Sequence, residues 1–363
     1  MSHKKLRVLD VSGSFYKMGR QHAQAYQQAI HTFTEDRIGL STGEAWTGRN
    51  ISREAVLALA DACVAEHEAY APELMDELRG MAEVTGLSLG ELIINNGFTD
   101  FVDLVYAQGN THQAKMTEQV ADDCTAFLIG KEHSATGNGI FGQTWDMHAT
   151  ATPHVILLRG KPDNAPNFLA FTITGCIGMI GMNEHGIAVG INNLLGADGQ
   201  VGVTWNFVVR KVLMQDNLDD ALACITEARL AGAHNFLLMD KHGKGYNVEA
   251  MSTRNVVTPL NGQPLLHTNH CLTDYTHEVE RERHANSLAS SQRRLQLAQE
   301  YLAHTPITVE ALMAMTRADT ICVKSAPPLH SETAGAAIMQ PITGDFWAVW
   351  GRPAENEYEH FTV

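Results

Sequence analysis

The chain has 363 residues, 44% hydrophobic and 18% charged, a balance that supports a large core and excludes a disordered chain. Its net charge of −15 at pH 7, with acids and bases interspersed, excludes the basic stripe that a nucleic-acid partner requires. No apolar run approaches the roughly 20 residues needed to span a bilayer as a helix.

The first third reads as mainly helical after a short strand at residues 6–11. Polar and apolar residues alternate at helical spacing over 16–33. Ser52 is a candidate N-cap for a second helix. Residues 71–85 put Leu74, Met75, Leu78 and Met81 on one stripe, and 87–98 continue in that style. Residues 110–123 are polar, almost free of large apolar side chains, and read as an exposed linker.

At Cys124 the period shortens, and strands are predicted over 124–130, 140–145, 154–159, 168–174 and 186–192. Helical spacing returns at 205–214 and 218–228, followed by strands at 235–240 and 246–250. One long polar helix is predicted over 276–302, another helix over 309–315, and a closing hairpin from 336–340 and 346–351. Short hairpin strands flanked by runs of helix point to sheets layered between helices.

Six cysteines are scattered without a CxxC pair. Residues 1–13 lack the long apolar stretch of a signal peptide, so the expectation is free thiols and a cytoplasmic location. Cys124 stands apart from the others. It follows Asp122 and Asp123 and precedes an apolar strand, at a junction between exposed and buried chain.

That junction belongs to an ordered series of motifs. Gly13-Ser14-Phe15-Tyr16-Lys17-Met18-Gly19-Arg20 opens it, and the helix from Pro72 to Ala82 follows. Cys124-Thr125 comes next, then Gly142-Gln143-Thr144-Trp145-Asp146, and Gly181-Met182-Asn183-Glu184-His185-Gly186 with Gly190-Ile191-Asn192. His234-Asn235-Phe236-Leu237-Leu238-Met239-Asp240, His267-Thr268-Asn269-His270 and Gly351-Arg352-Pro353 complete it. Taken together, the series resembles the acyl-coenzyme A:isopenicillin N acyltransferase family. That family is a branch of the N-terminal-nucleophile hydrolases, related to bile-salt and penicillin V hydrolases.

The resemblance implies an α+β fold, a four-layer αββα sandwich, as a single domain over 1–363. Self-cleavage after Asp123 would yield a helical chain 1–123 and a catalytic chain 124–363 that stay associated. Cys124 would then carry both a thiol and an α-amine of reference pKa near ~8, joining nucleophile and base in one residue. By the same resemblance Asn235 and Asn192 are the candidate oxyanion donors, and Asp146 the carboxylate that orients the amine. Trp145 and Arg317 are candidate substrate contacts. Where relatives often have glycine before the cysteine, this chain has Asp123, and Thr144 and Met147 replace asparagine and tryptophan, which implies a different acyl pocket.

The expected reaction is cleavage of a linear amide of an N-acyl or peptide-like small molecule through an acyl-Cys124 thioester. Acyl transfer to an amine or thiol is the alternative, as is a non-catalytic amide-binding protein on the same scaffold. No cofactor, metal, nucleic acid or membrane partner is expected, and self-association beyond the two fragments stays open. His267, His270, His277 and His284 cluster in sequence but lack an HExxH or a paired CxxC.

Overall fold

Residues 5–109, 124–327 and 330–363 are described by the computed structural model. The expected linker, with Asp122 and Asp123, lies outside them. The first stretch contains β1 (Arg7–Gly13), α1 (Phe15–Thr42), α2 (Glu44–Thr47), α3 (Arg53–Tyr70), α4 (Pro72–Thr85) and α5 (Leu89–Ala107). Local chemistry sets these boundaries. The Ser52 hydroxyl accepts from the Ala55 N–H at 3.2 Å, as the sequence predicts. Ser88 and Glu91 form a reciprocal capping box at the start of α5.

Helix α5 outruns its predicted end at residue 98 because Phe101, Val102 and Val105 keep an apolar stripe buried beyond it. It kinks at Gly97, whose backbone leaves helical geometry (φ −127°, ψ 47°). Helices α1 and α4 touch backbone to backbone at two glycines of the motif series. A Cβ at Gly19 would lie 1.8 Å from the Glu77 carbonyl oxygen, and one at Gly80 2.1 Å from that of Tyr16.

After Cys124 come β2 (Thr125–Ile129), β3 (Ile140–His148), β4 (Val155–Pro162), β5 (Phe168–Ile173), β6 (Ile180–Asn183) and β7 (Ala188–Asn193). Helices α6 (Trp205–Val212) and α7 (Leu218–Thr226) lead to β8 (His234–Met239), β9 (Gly245–Ala250), β10 (Asn255–Pro259) and β11 (Leu265–His267). The chain continues through α8 (Asp274–His277), α9 (Ala285–Leu302), α10 (Val309–Arg317), β12 (Ser331–Gln340), β13 (Asp345–Trp350) and β14 (Glu359–Thr362).

Two sheets result, in the orders β1-β4-β5-β6-β7-β8-β9-β10 and β11-β2-β3-β12-β13-β14. They pack face to face, and side-chain alternation shows how. Ala126 and Leu128 of β2 and Phe141 of β3 join the main core between the sheets. Phe127, Ile129, Ile140 and Ile338 point the other way, into a second core with Ala298, Leu302, Leu312 and Met315 of α9 and α10. On the far side of the larger sheet, Arg210 of α6 stacks on Phe168 of β5 at 3.7 Å. Helix, sheet, sheet, helix is the expected four-layer αββα arrangement.

The predicted single helix over 276–302 is instead split into α8 and α9. The Arg281 N–H donates to the Leu195 carbonyl at 2.8 Å, and its buried guanidinium stacks on Tyr106 at 4.0 Å. Those tertiary contacts outweigh the local helical pattern. Strands β6, β10, β11 and β14 are absent from the sequence reading. They are three to five residues long and find their partners only across the sheet.

Parallel pairing of β1 with β4, from Arg7↔Ile156 to Gly13↔Pro162, makes the first stretch part of the larger sheet. Gly80→Ala tests the α1–α4 contact. Alanine gains about 1 kcal/mol of helix propensity over glycine, but its Cβ meets backbone that cannot rotate away. Overpacking of this kind costs about 1–3 kcal/mol or more, so a lower Tm and urea midpoint are expected.

Candidate active site

Cys124 leads into β2 on the face that Ala126 and Leu128 turn toward the other sheet, and it is buried. Its sulfur lies 3.5 Å from the Asp146 amide nitrogen and 3.8 Å from the Asp146 carbonyl oxygen. The register of β2 and β3, Thr125↔Thr144 onward, brings the two residues together across 22 positions of sequence. Asp146 is likewise buried.

A guanidinium holds this end of the strand. Arg294 of α9, fully buried, donates from Nη1 to the Cys124 carbonyl at 2.6 Å and to Thr125 Oγ1 at 3.2 Å. Its Nη2 reaches Asn269 Oδ1 at 3.1 Å, and Asn269 Nδ2 donates to the Asn193 carbonyl at 3.0 Å. The planar fork thus joins β2, the segment after β11 and the end of β7 in one geometry.

Asn192 and Asn235 face each other in the β7–β8 register, both buried. Asn235 Nδ2 donates to Asn247 Oδ1 at 2.8 Å and to Asn192 Oδ1 at 3.4 Å. That bond turns the Asn192 oxygen toward Asn235. Its Nδ2 is left without a hydrogen-bond partner among the described residues. A buried, unspent N–H donor is what an oxyanion needs. Asn235 spends its own donors holding its neighbour.

Beyond Cys124 opens a cleft walled by Phe33 of α1, Phe98 of α5, Trp145, Met147, Met179 and Trp205. Kinked α5 adds polar groups to this wall. Asn96 donates to the Gly175 carbonyl at 3.0 Å and accepts from the Ile177 N–H at 3.0 Å, anchoring the loop after β5. Thr99 Oγ1 accepts from Trp205 Nε1 at 3.1 Å and sits 3.2 Å from His234 Nε2. Burial lowers the pKa of His234 to about 3, so its ring is neutral. On its other side His234 Nδ1 faces Asp100 Oδ1 at 3.9 Å.

Burial, then repulsion from Asp103, holds the Asp100 carboxyl well above the usual range. Burial also pushes Asp103 up to about 7, against the pull of the Ala233 N–H and the Arg281 charge. Asp103 Oδ2 accepts from the N–H groups of Gly196 and Ala233, each at 3.0 Å, so it pins the segments flanking Asn193 and His234.

Of the residues singled out from sequence, Cys124, Asp146 and Trp145 meet at the cleft. Asn192 and Asn235 stand together one strand position from the lining residues Ile191, Asn193 and His234. Arg317 is not among the described lining residues. It bonds the Pro353 carbonyl at 3.0 Å and Glu357 at 2.9 Å, tying α10 to the C-terminal segment. Asp123 lies outside the described residues.

Among the described residues, no three His, Cys, Asp or Glu side chains gather as a metal site. His267 instead pairs with Glu249 at 3.0 Å, bridging the two sheets, and His270 bonds Ser291 at 2.7 Å. Burial would raise the Glu249 carboxyl, but hydrogen bonds from His267 and Thr276 hold it down at about 2.

Sequence reasoning missed Arg294, Asn269 and Arg37. A signal existed for the first, because Arg294 interrupts the buried stripe Ser287, Ser291, Ala298 and Leu302 of α9. Asn269 sits inside the His-Thr-Asn-His motif, where the histidines drew attention. Arg37 carries no motif at all.

A family model described as acyl-coenzyme A:6-aminopenicillanic acid acyl-transferase matches residues 134–355, a span beginning C-terminal to Cys124. A curated relative from Emericella nidulans, the 40 kDa form of acyl-coenzyme A:6-aminopenicillanic-acid-acyltransferase, is 26% identical over 209 residues. That match covers 56% of this chain and 53% of the relative, so the chain spans about half the relative's length. Among solved structures, a mutant form of conjugated bile acid hydrolase from Clostridium perfringens superposes with a TM-score of 0.46 at 12% identity. The superposition covers 66% of this chain and 97% of that one. Penicillin V acylase from Agrobacterium tumefaciens gives 0.41 at 11% identity, over 66% and 86%.

Arg294→Met should leave the Cys124 carbonyl and the Asn269 amide without their charged partner. Hydrogen bonds to charged groups are worth about 1.5–3 kcal/mol, so a corresponding fall in urea-unfolding free energy is expected. Arg294→Lys, which keeps the charge without the fork, should recover stability only in part.

Proposed function

Because the chain belongs to the acyl-coenzyme A:6-aminopenicillanic acid acyl-transferase family, we propose that it is an autoprocessed cysteine amidohydrolase acting on linear amides of N-acyl or peptide-like small molecules. The observation that carries this reading is the buried thiol of Cys124 at the entry to β2, set against Asp146 in a largely apolar cleft.

The residues fall into roles. Cleavage of the bond between Asp123 and Cys124 frees the Cys124 α-amine, which takes the thiol proton. The sulfur attacks the amide carbonyl carbon, and the negative charge that develops on oxygen is met by Asn192 Nδ2, its orientation set by Asn235. Asp146 orients the amine, and Arg294 keeps the Cys124 carbonyl fixed while the sulfur moves. The α-ammonium returns its proton to the leaving nitrogen as the C–N bond breaks. Water then attacks the thioester, and the carboxylic acid departs.

The apolar walls favour an acyl group with hydrocarbon or aromatic character. Both fragments would stay together, since β1 is hydrogen-bonded to β4 along its full length and α1 to α5 bury their apolar faces on the later chain. Among the described residues no helix is long and apolar enough to cross a membrane. We place the protein in the cytoplasm. Acyl transfer to an amine or thiol is the second reading, favoured by the name of the Emericella relative. Product analysis with and without an added amine separates the two.

Intact-mass measurement of the purified protein should give two polypeptides, 1–123 and 124–363, eluting together until denatured. Cys124→Ala should give one uncut chain without amidase activity. An active preparation whose 123–124 bond is whole would sink the proposal. Asn192→Ala should process more slowly and lower kcat by about 10²–10³ with a smaller change in KM.

A further inference from the structure

We infer that Gln143 is a positioning residue for the oxyanion donor, its side-chain amide clasping the backbone of β7 at Ile191 and so fixing Asn192 relative to Cys124. This deepens the reading of Cys124 as nucleophile and Asn192 as donor, and rests on it. Gln143 is fully buried on β3, on the inward face it shares with Phe141 and Trp145. Its Cα partner on β2 is Ala126, two residues after Cys124. From there the amide crosses to the other sheet. Oε1 accepts from the Ile191 N–H at 2.9 Å, and Nε2 donates to the Ile191 carbonyl.

The amide stands where a strand is missing. The Asn183 N–H donates to the Ile187 carbonyl at 3.0 Å across the β6 edge of β7, and by the two-residue period Ile191 faces the same way. The Cα pairing on that edge stops at Gly181↔Val189, two residues short of Ile191. Gln143 supplies the acceptor and the donor that the next β6 residue would have offered. Glycine at 190 admits it, because a Cβ there would lie 2.3 Å from Gln143 Oε1 and 2.5 Å from the Phe141 ring.

The carbonyl so held belongs to the peptide that leads into Asn192. Two bonds therefore connect the strand beside the nucleophile to the strand that carries the donor. Without them β7 keeps β8 and the Asn269 bond to the Asn193 carbonyl, while the buried Ile191 groups lose their partners. A shift of about 1 Å in such a group is enough to lose about 100-fold in rate.

The test compares a reaction that develops an oxyanion with one that does not. p-Nitrophenyl acetate acylates the Cys124 sulfur through a tetrahedral oxyanion and releases p-nitrophenolate. Iodoacetamide alkylates the same sulfur by displacing iodide, with no oxyanion. Both rates are measured on protein processed at 123–124, with Cys124→Ala as the blank. Gln143→Met should lower acylation by about 10–100-fold and leave alkylation within about twofold. In the Asn192→Ala background the same change should cost less than about threefold more. Gln143→Glu adds a readout that packing alone does not move. Its protonated carboxyl accepts and donates as the amide does, whereas the carboxylate only accepts. The acylation-to-alkylation ratio of that variant should rise as pH falls, while the native ratio stays flat.

Equal loss of both rates, a loss undiminished by Asn192→Ala, or no loss at all would overturn the inference. So would a folded Gln143→Met chain left uncut where Asn192→Ala is cut, since the fault would then lie at the nucleophile. Should Gln143→Met fail to fold, Gln143→Glu decides alone, and a ratio independent of pH overturns it. A native thiol that iodoacetamide alkylates but that acylates no faster than free cysteine removes the donor, and Gln143 with it. A thiol that takes neither reagent counts against the reading of Cys124 itself.

Discussion

One buried guanidinium governs the geometry at Cys124. Taking a cation out of water costs several kcal/mol unless its donors are met. Arg294 meets that cost with the Cys124 carbonyl, the Thr125 hydroxyl and the Asn269 amide oxygen. These partners come from two separate pieces of chain, the entry to β2 and the turn after β11, so they can be satisfied together only when α9, β2 and that turn are all in place. The thiol is positioned as a consequence, since its own backbone carbonyl is one of the three.

The same logic extends outward through buried polar groups. Asn269 hands its Nδ2 to the end of β7, and Asn235 hands one of its own to Asn192. Across the sandwich, Glu249 of β9 takes His267 of β11, with Thr273 and Thr276 completing the carboxylate's shell. Helix α5 carries Asn95, Asn96, Thr99, Asp100 and Asp103 into the interior, where they fasten the loops around the cleft. Burial keeps these acids and His234 toward their neutral forms. A kink at Gly97 is part of that arrangement, because a Cβ there would strike Thr204 at 2.5 Å.

Topology accounts for how a chain cut in the middle could remain one body. Its first stretch contributes an edge strand and the helices that cover the larger sheet, so separation would expose a hydrophobic face and a row of unpaired backbone groups. Phe33 and Arg37 of α1 also line the cleft beside Cys124. Both sides of the junction therefore build one site.

Much of this was legible in the amino-acid sequence. The helical first third, the change of period at Cys124, the N-cap at Ser52 and the order of most strands follow from local spacing, because caps and periodicity act within a few residues. The motif series marked Cys124, Trp145 and Asp146, which the β2–β3 pairing brings together. Only the tertiary structure decided the rest. Whether an asparagine donates outward or braces its neighbour depends on a partner 43 residues away, as for Asn235 and Asn192. The break between α8 and α9, the capture of Cys124 by Arg294 and the placing of Arg37 in the cleft wall depend on contacts 86, 170 and about 110 residues distant. Polar side chains at such separations carry no periodicity, so their roles emerge only once the layers have closed around them.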